Sequence, residues 1–434
     1  TLFRSAEYSA DNQLASFRAT PFVIGRGEIE GRPVCVQSDD FSVRGGAADA
    51  GIWQKLVFAE QMANEYRMPL IRMVDGTGGG GSVKMLEKDP RTYIPQTPGW
   101  EWVVANMASV PVVALALGPC AGLGAGRVAA SHYSVMVQGL SQVFVAGPPV
   151  AKAIGENVDK EGLGGAEING KNGVVDDIVA SEAEAFAAAR KFLSYLPASI
   201  HESAPRVQNG DRTDRRDDTL IEVVPRDRRV PYKMRRIVEA CVDAGTFFET
   251  GRQWGRGLIT GFARIDGYSV AVLAGDPHFM GGAWTADVCR KLIKHVDMAQ
   301  TFHLPVVHFV DCPGFAVGVK HERAATVKYS AIAATVKSAQ PSKRERVGVA
   351  SGWAAVAATD DSERPTDRRR TAPQCQGATT RGTTRGVDMT EAGMTTMVVD
   401  VGAHALGRAV LACLPELAAG NALGFVLLLL WLAL

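Results

Sequence analysis

Glycine is what this sequence offers where reactive side chains would be expected. It accounts for 46 of 434 residues and gathers at Gly45-Gly46, Gly76 to Gly81 and Gly118 to Gly126, each cluster following a short apolar run. Backbone N–H groups at a strand-to-helix turn can cradle a phosphate or stabilise a developing oxyanion. The case is strongest at Gly122-Leu123-Gly124, because the long apolar run VPVVALALG (110–118) leads straight into it. Small residues at such a turn also permit close helix–strand packing, and on the residues alone both readings stay open. Side-chain constellations are missing: the chain has no HExxH, no GxxxxGK[ST], and no GxSxG with an identifiable His/Asp pair. GTGGGG (76–81) contains GxGxxG, but without the strand–helix context and spaced acid of a dinucleotide site. The seven cysteines (Cys35, Cys120, Cys241, Cys289, Cys312, Cys375, Cys413) never form CxxC, and the eight histidines never form HxxH or HxxxH. A reducing compartment and no metal site are therefore expected.

The elements that must position these glycines come from a duplication. A shift of 236 residues lays Gly25–Gly78 on Gly261–Gly314 without a gap and gives 18 identities in 54 positions. Roughly three would arise by chance. Each copy runs from an alternating stretch (Gly31–Val36 or Gly267–Val272) into GGAADAG or GGAWTAD. A helix-length segment follows (Ile52–Tyr66 or Val288–Phe302), then proline and a compact strand, PLIRMVD (69–75) or PVVHFVD (305–311). Strand, helix, strand at this spacing predicts a βαβ unit in a mostly parallel sheet, with ligands at the strand ends near Asp75 and Asp311. The first copy goes on to a third strand at 110–118, strand-like pieces at 132–137 and 141–147, and a helix over Glu182–Leu196.

These features predict an N-terminal half over 1–197, a solvated charged linker over 198–230, and a second half over 231–341. After Pro341 an apolar strand and glycine turn should answer the first half; instead the sequence turns rich in Arg, Thr and Ser. Residues 342–434 are therefore expected not to continue the second half, and a shifted reading frame or a divergent tail would both give this change. Composition is that of a globular protein, 46% apolar and 21% charged, with a net charge of +1 that favours no nucleic-acid partner. LGFVLLLLWLAL (423–434) spans about 18 Å as a helix, short of the roughly 30 Å membrane core, so a buried helix or non-native tail is preferred to an anchor. The chain opens on Thr1 rather than Met, which leaves a targeting peptide open.

The strings DFSVRGGA (40–47), PLIRMVDGTGG (69–79), GPCAGLGAG (118–126), SQVFVAGPPV (141–150), GRGLITGFARIDGYSVAVLA (255–274) and FVDCPGFAVG (309–318) resemble the carboxyltransferase β-subunit family of acyl-CoA carboxylases. That family includes the propionyl-, acetyl- and methylcrotonyl-CoA carboxylase types. The resemblance implies an α/β fold of two crotonase-like halves, the second incomplete here. It also implies a mechanism in which carboxybiotin releases CO₂, the biotin enolate takes the α-proton of an acyl-CoA, and the CoA enolate captures the CO₂. Two pairs of backbone N–H groups stabilise the two oxyanions. The first pair maps onto Gly122 and Leu123. Acyl-CoA contacts are expected from Arg44, Gly45, Gly46, Gly78, Gly79, Gly118 and Ala121, and biotin-side contacts from Gly281, Gly282, Gly314 and Phe315.

The family's second N–H pair belongs after the strand expected beyond Pro341 and has no match there. Its DSGGARxxEG string reads DGTGGGGSVK here and lacks the arginine. The implied cofactor is biotin on a partner, with coenzyme A as substrate moiety. The implied partners are a biotin carboxylase/biotin carboxyl carrier subunit and further copies of the chain, as a dimer or trimer of dimers. The implied location is the cytoplasm or the mitochondrial matrix, with no membrane partner. Competing readings are a biotin-linked decarboxylase, a crotonase-like hydratase, and a non-catalytic assembly subunit. A hydratase would need glutamates beside Gly122, and none flanks it.

Overall fold

The structure is a computed structural model that describes residues 6–17, 20–46, 53–76, 99–207, 210–212, 215–227, 229–338 and 396–400. A short hairpin, β1 (Ala6–Tyr8) and β2 (Leu14–Phe17), precedes the first half. That half is a six-stranded sheet in the order β10-β8-β6-β5-β4-β3. Its strands are β3 (Phe22–Ile29), β4 (Arg32–Asp39), β5 (Leu70–Val74), β6 (Val112–Ala116), β8 (Tyr133–Val137) and β10 (Asp177–Val179). A small side ladder pairs β7 (Pro119–Ala121) with β9 (Gln142–Phe144). Only the β3–β4 pair is antiparallel; every later pairing in the sheet is parallel. The β3–β4 turn uses Glu30 and Gly31 at φ 51° and 78°, the doubly positive geometry of a tight hairpin.

Helix α1 (Trp53–Glu65) crosses between β4 and β5, and α2 (Trp100–Met107) precedes β6. The seven-residue α3 (Leu123–Ala129) leads to β8, and α4 (Pro148–Ala153), α5 (Lys160–Gly164) and α6 (Ala166–Asn172) follow β9. Helix α7 (Glu182–Ser194) closes the half; Ser181 caps it by accepting from the Glu184 N–H at 3.3 Å.

The second half repeats the first at the same 236-residue interval. Helix α8 (Met234–Cys241) and β11 (Phe248–Thr250) lead to β12 (Leu258–Ile265), β13 (Tyr268–Gly275), α9 (Ala286–Thr301) and β14 (Val306–Val310). The bounds of β12, β13 and β14 are those of β3, β4 and β5 plus 236, and the pairing follows: Cys35 faces Leu70, and Ala271 faces Val306. The unusual backbone repeats too. Asp266 and Gly267 at φ 51° and 77° match Glu30 and Gly31, and Gly281 at 63° matches Gly45 at 64°. Like topology in both copies supports the duplication.

Two expectations are corrected. Residues 342–434 do contribute to the second half: β15 (Thr396–Asp400) pairs parallel with β14, setting Val306 against Thr396, as Leu70 sits against Val112 in the first sheet. The slot is filled about 48 residues later than the repeat predicts (396 against 112 + 236 = 348). Among the described residues, the charged linker is also not merely solvated. Arg206 pairs with Asp266 at 2.7 Å, and Leu220, Val223 and Val224 pack on the core around Ile237 and Ile259. The segment 423–434 lies outside the described residues.

One apolar core joins the halves. It includes Tyr133, Val135, Phe192 and Leu193 from the first, and Phe262, Leu292, Val296 and Phe302 from the second. Tyr133 stacks on Phe192 at 4.7 Å between centroids, and Phe192 meets Phe262 edge-on at 5.6 Å. Charge crosses the same seam. Lys294 Nζ donates to both oxygens of Asp176 at 2.6 and 2.8 Å, and the Gly251 N–H reaches Asp177. No described helix is long and apolar enough to cross a membrane.

Candidate active site

The glycine clusters of the first half meet at the C-terminal ends of β4, β5 and β6. Gly46 lies so close to β5 that a Cβ there would fall 2.6 Å from the Asp75 carbonyl; at Gly76 it would fall 2.7 Å from the Gly46 carbonyl. A Cβ at Gly118 would collide with the Asp75 carboxylate, and one at Gly124 with the Gly76 carbonyl. The Ala121 N–H donates to Gly76 O at 3.3 Å and ties the turn down. Gly45, Gly46, Gly118, Ala121, Gly122 and Leu123 are thus brought to one edge of the sheet. Gly78 and Gly79 lie outside the described residues, and Arg44 is described only in its backbone, at the start of the turn Arg44–Gly46.

The turn itself differs from expectation in one amide. Gly122 takes φ 54° and ψ −118°, a conformation open to glycine, and its N–H is already shared between Phe144 O at 3.3 Å and Val145 O at 3.0 Å. Leu123 is the first residue of α3, so its side chain needs no unusual backbone. The N–H groups of Leu123 and Gly124 have no partner among the described residues, since the first intrahelical bond is Gly126 N–H to Gly122 O at 2.9 Å. Among the described residues, the N–H groups left open at this turn are thus those of Leu123 and Gly124, because Gly122 is engaged by carbonyls at the end of β9, 22 residues on (144 − 122).

Beneath the turn lies buried charge that sequence reasoning did not place there. Asp39, at the end of β4, is 2.5 Å from Arg127 Nη2 of α3, and it also accepts from the Asp75 N–H at 3.2 Å. Arg72, fully buried in β5, forms a two-bond pair with Glu60 of α1 at 2.7 and 2.8 Å. Its remaining donor caps the end of α3 through Arg127 O at 3.0 Å and Ala130 O at 2.6 Å. Burial, with Asp39 and Glu182 adding and Lys160 opposing, raises the Asp75 carboxyl above its ordinary range. Burial likewise pushes the Cys120 thiol in the turn up to about 12, so it is no thiolate nucleophile at neutral pH.

In the second half, Gly282 sits against β14 as Gly46 does against β5, with a Cβ again 2.6 Å from an aspartate carbonyl, that of Asp311. Trp284 donates its N–H to Gly314 O at 2.9 Å and bridges to Phe315, whose ring it meets edge-on at 5.9 Å. The four biotin-side residues expected from sequence, Gly281, Gly282, Gly314 and Phe315, are therefore neighbours.

Comparison with known families decides the broader question. The carboxyl transferase domain family matches residues 3–367. The chain belongs to this family. Among its carboxyltransferase relatives, the methylmalonyl-CoA decarboxylase subunit alpha of Veillonella parvula is 32% identical over 314 residues, covering 71% of this chain and 60% of that protein. The propionyl-CoA carboxylase beta chain of Roseobacter denitrificans is also 32% identical, over 315 residues, with the same coverage. The crystal structure of transcarboxylase 12S with methylmalonyl-coenzyme A and methylmalonic acid bound matches at a TM-score of 0.66 and 31% identity, over 73% of this chain and 61% of that one. The fold is accordingly the crotonase-like α/β fold of carboxyltransferases. The chain spans about three fifths of the length of these relatives.

Proposed function

We propose that the chain is the carboxyltransferase component of a biotin-dependent acyl-CoA carboxylase, moving a carboxyl group from carboxybiotin to the α-carbon of an acyl-CoA. The observation that carries this is the turn at 118–124, where two backbone N–H groups have no partner among the described residues, on a duplicated carboxyltransferase scaffold. An enolate oxygen needs donors fixed in place rather than a side-chain acid, and each such donor lowers the barrier by about 3 kcal/mol. In this reading Leu123 and Gly124 face the acyl-CoA oxyanion. Gly45, Gly46, Gly118, Ala121 and Arg44, with Gly78 and Gly79, line the CoA side. Gly281, Gly282, Gly314 and Phe315 line the biotin side. Biotin arrives on a carrier partner, and active sites complete themselves between copies of the chain; transcarboxylase 12S, a structural relative, is described as a hexamer.

The relative named as a methylmalonyl-CoA decarboxylase subunit favours a second reading, in which the same half-reaction runs from carboxylated acyl-CoA to biotin. Both readings require exchange of a labelled carboxyl group between methylmalonyl-CoA and free biotin on the purified chain. Binding of acyl-CoA without any exchange would leave only an assembly role. Sedimentation showing monomers alone at micromolar concentration would remove the shared-site arrangement.

A further inference from the structure

Two buried arginines hold the seven-residue α3, and they are satisfied very differently. Arg72 places its guanidinium on both oxygens of Glu60 and on two helix-end carbonyls, and Asn106 Nδ2 adds a bond to Glu60 at 2.9 Å. That is a saturated structural network. Arg127, 2% exposed, spends one nitrogen on Asp39 and leaves Nε and Nη1 without partners among the described residues. The unpartnered oxygens Asp39 Oδ1 and Asp75 Oδ1 belong to the same node. A buried pair with three idle polar atoms, and a fourth on Asp75 beside it, is a poor stabiliser, since apolar residues of like volume would hold the fold at least as well. Such a group persists where its position serves the chemistry.

Its position is specific. Arg127 lies four residues beyond Leu123 on α3 (127 − 123), Asp39 ends β4 and Asp75 follows β5, and Gly46 packs against the Asp75 carbonyl while Gly118 packs against its carboxylate. Asp39, Asp75 and Arg127 all act electrostatically on Cys120, in the middle of the turn. The Phe22 ring lies 5.7 Å from the guanidinium carbon. We infer that Arg127 is a positioning residue: its ion pair with Asp39 sets α3 against the ends of β4 and β5, and so aims the Leu123 and Gly124 N–H groups at an acyl thioester carbonyl. This inference rests on the acyl-CoA reading above.

The test uses the full chain and propionyl-CoA carrying ¹³C at the thioester carbonyl. Difference infrared spectroscopy reads how far binding lowers the carbonyl stretch, calorimetry reads Kd, and thermal unfolding reads Tm. The wild-type chain should lower the stretch on binding. Arg127→Met should unfold cooperatively and keep Kd within about threefold, yet lose most of that shift. Its kcat for carboxyl exchange should fall about 100-fold, the scale expected for misplaced donors, with KM little changed. Arg127→Lys, which keeps the charge, should regain part of the shift. Should Arg127→Met fail to fold, Asp39→Asn must lose the shift in its place. Arg127→Met or Asp39→Asn with an undiminished shift, or with losses only in Tm and Kd, overturns the positioning role. A wild-type chain that binds propionyl-CoA without any shift also overturns it, whereas one that binds no propionyl-CoA removes the acyl-CoA reading itself.

Discussion

In the proposed reading, Gly122 and Leu123 divide the labour of the turn: the first supplies a backbone shape, φ 54° and ψ −118°, and the second an amide. Leu123→Ala should therefore preserve turnover. Leu123→Pro, which deletes the donor, should lower kcat by about 100- to 1,000-fold. Proline is tolerated at the first position of a helix, although it restricts the residue before it, so Tm and CoA binding must be measured alongside. Buried histidines make a separate prediction. His132 accepts from the Val112 N–H at 3.0 Å and meets Met107 O at 3.0 Å, and burial lowers its pKa to about 3; burial lowers that of His295 to about 3 as well. Both stay neutral in the folded chain but take protons when it unfolds, so stability is full above pH 6.5 and is lost as pH falls below it. Asp177, raised to about 6 by burial, works in the opposite sense between 6 and 3.8. Two histidines against one aspartate leave a net loss of stability as pH falls from 6 to 4, on the order of 1 kcal/mol per pH unit. Urea unfolding across that range measures it, and His295→Gln should flatten it.

Among the elements, the register of the duplicated strands was legible because their glycines and apolar residues keep one spacing across 236 positions. Helix α9 was likewise readable, as the helix-length segment Val288–Phe302 ahead of Pro305 and the compact strand, although its start at Ala286 was not. The glycine edge of the site was visible for the same reason. The idle amide pair was not, because the acceptors that occupy Gly122 come from 144–145. No motif marks Arg127 in the sequence, and only tertiary packing brings it to Asp39. Strand β15 escaped notice because TMVVD is short and follows a long Arg/Thr-rich stretch, although Gly402 trails it as Gly118 trails β6. Packing between elements also makes Gly173 a sensitive point. It ends α6 at φ 81°, and a Cβ there would lie 2.4 Å from the Trp254 ring of the second half. Gly173→Ala combines left-handed strain with a clash and should cost about 2–4 kcal/mol. A shifted tryptophan emission together with a lower urea midpoint would register both effects.

For the molecule as a whole, the seam between halves is where apolar packing and charge coincide. Lys294 is 30% exposed and Asp176 10%, and Asp176 also accepts from the Ser134 N–H and hydroxyl at 2.8 and 3.0 Å. Lys294→Met would leave Asp176 with those two donors alone. The expected cost is about 1–3 kcal/mol, below that of a fully enclosed pair because water reaches the lysine. The double variant Lys294→Met/Asp176→Asn should recover part of it. Additive losses in that cycle would mean that the halves are joined by packing alone.

The shared ladder of the two copies has a consequence for how the chain finds its own shape. By backbone alone β5 and β14 are interchangeable, so a folding chain could seat either strand beside either helix. Arg72 and Glu60 forbid the exchange, because the equivalent positions in the second copy are His308 and Val296. A swapped β5 would bury its guanidinium against valine, and a swapped β14 would leave Glu60 without its arginine. Each error strands a buried charge at about 3–5 kcal/mol. The arginine–glutamate pair is thus an address as well as a brace, and it tells each strand which of two near-identical twins is its own.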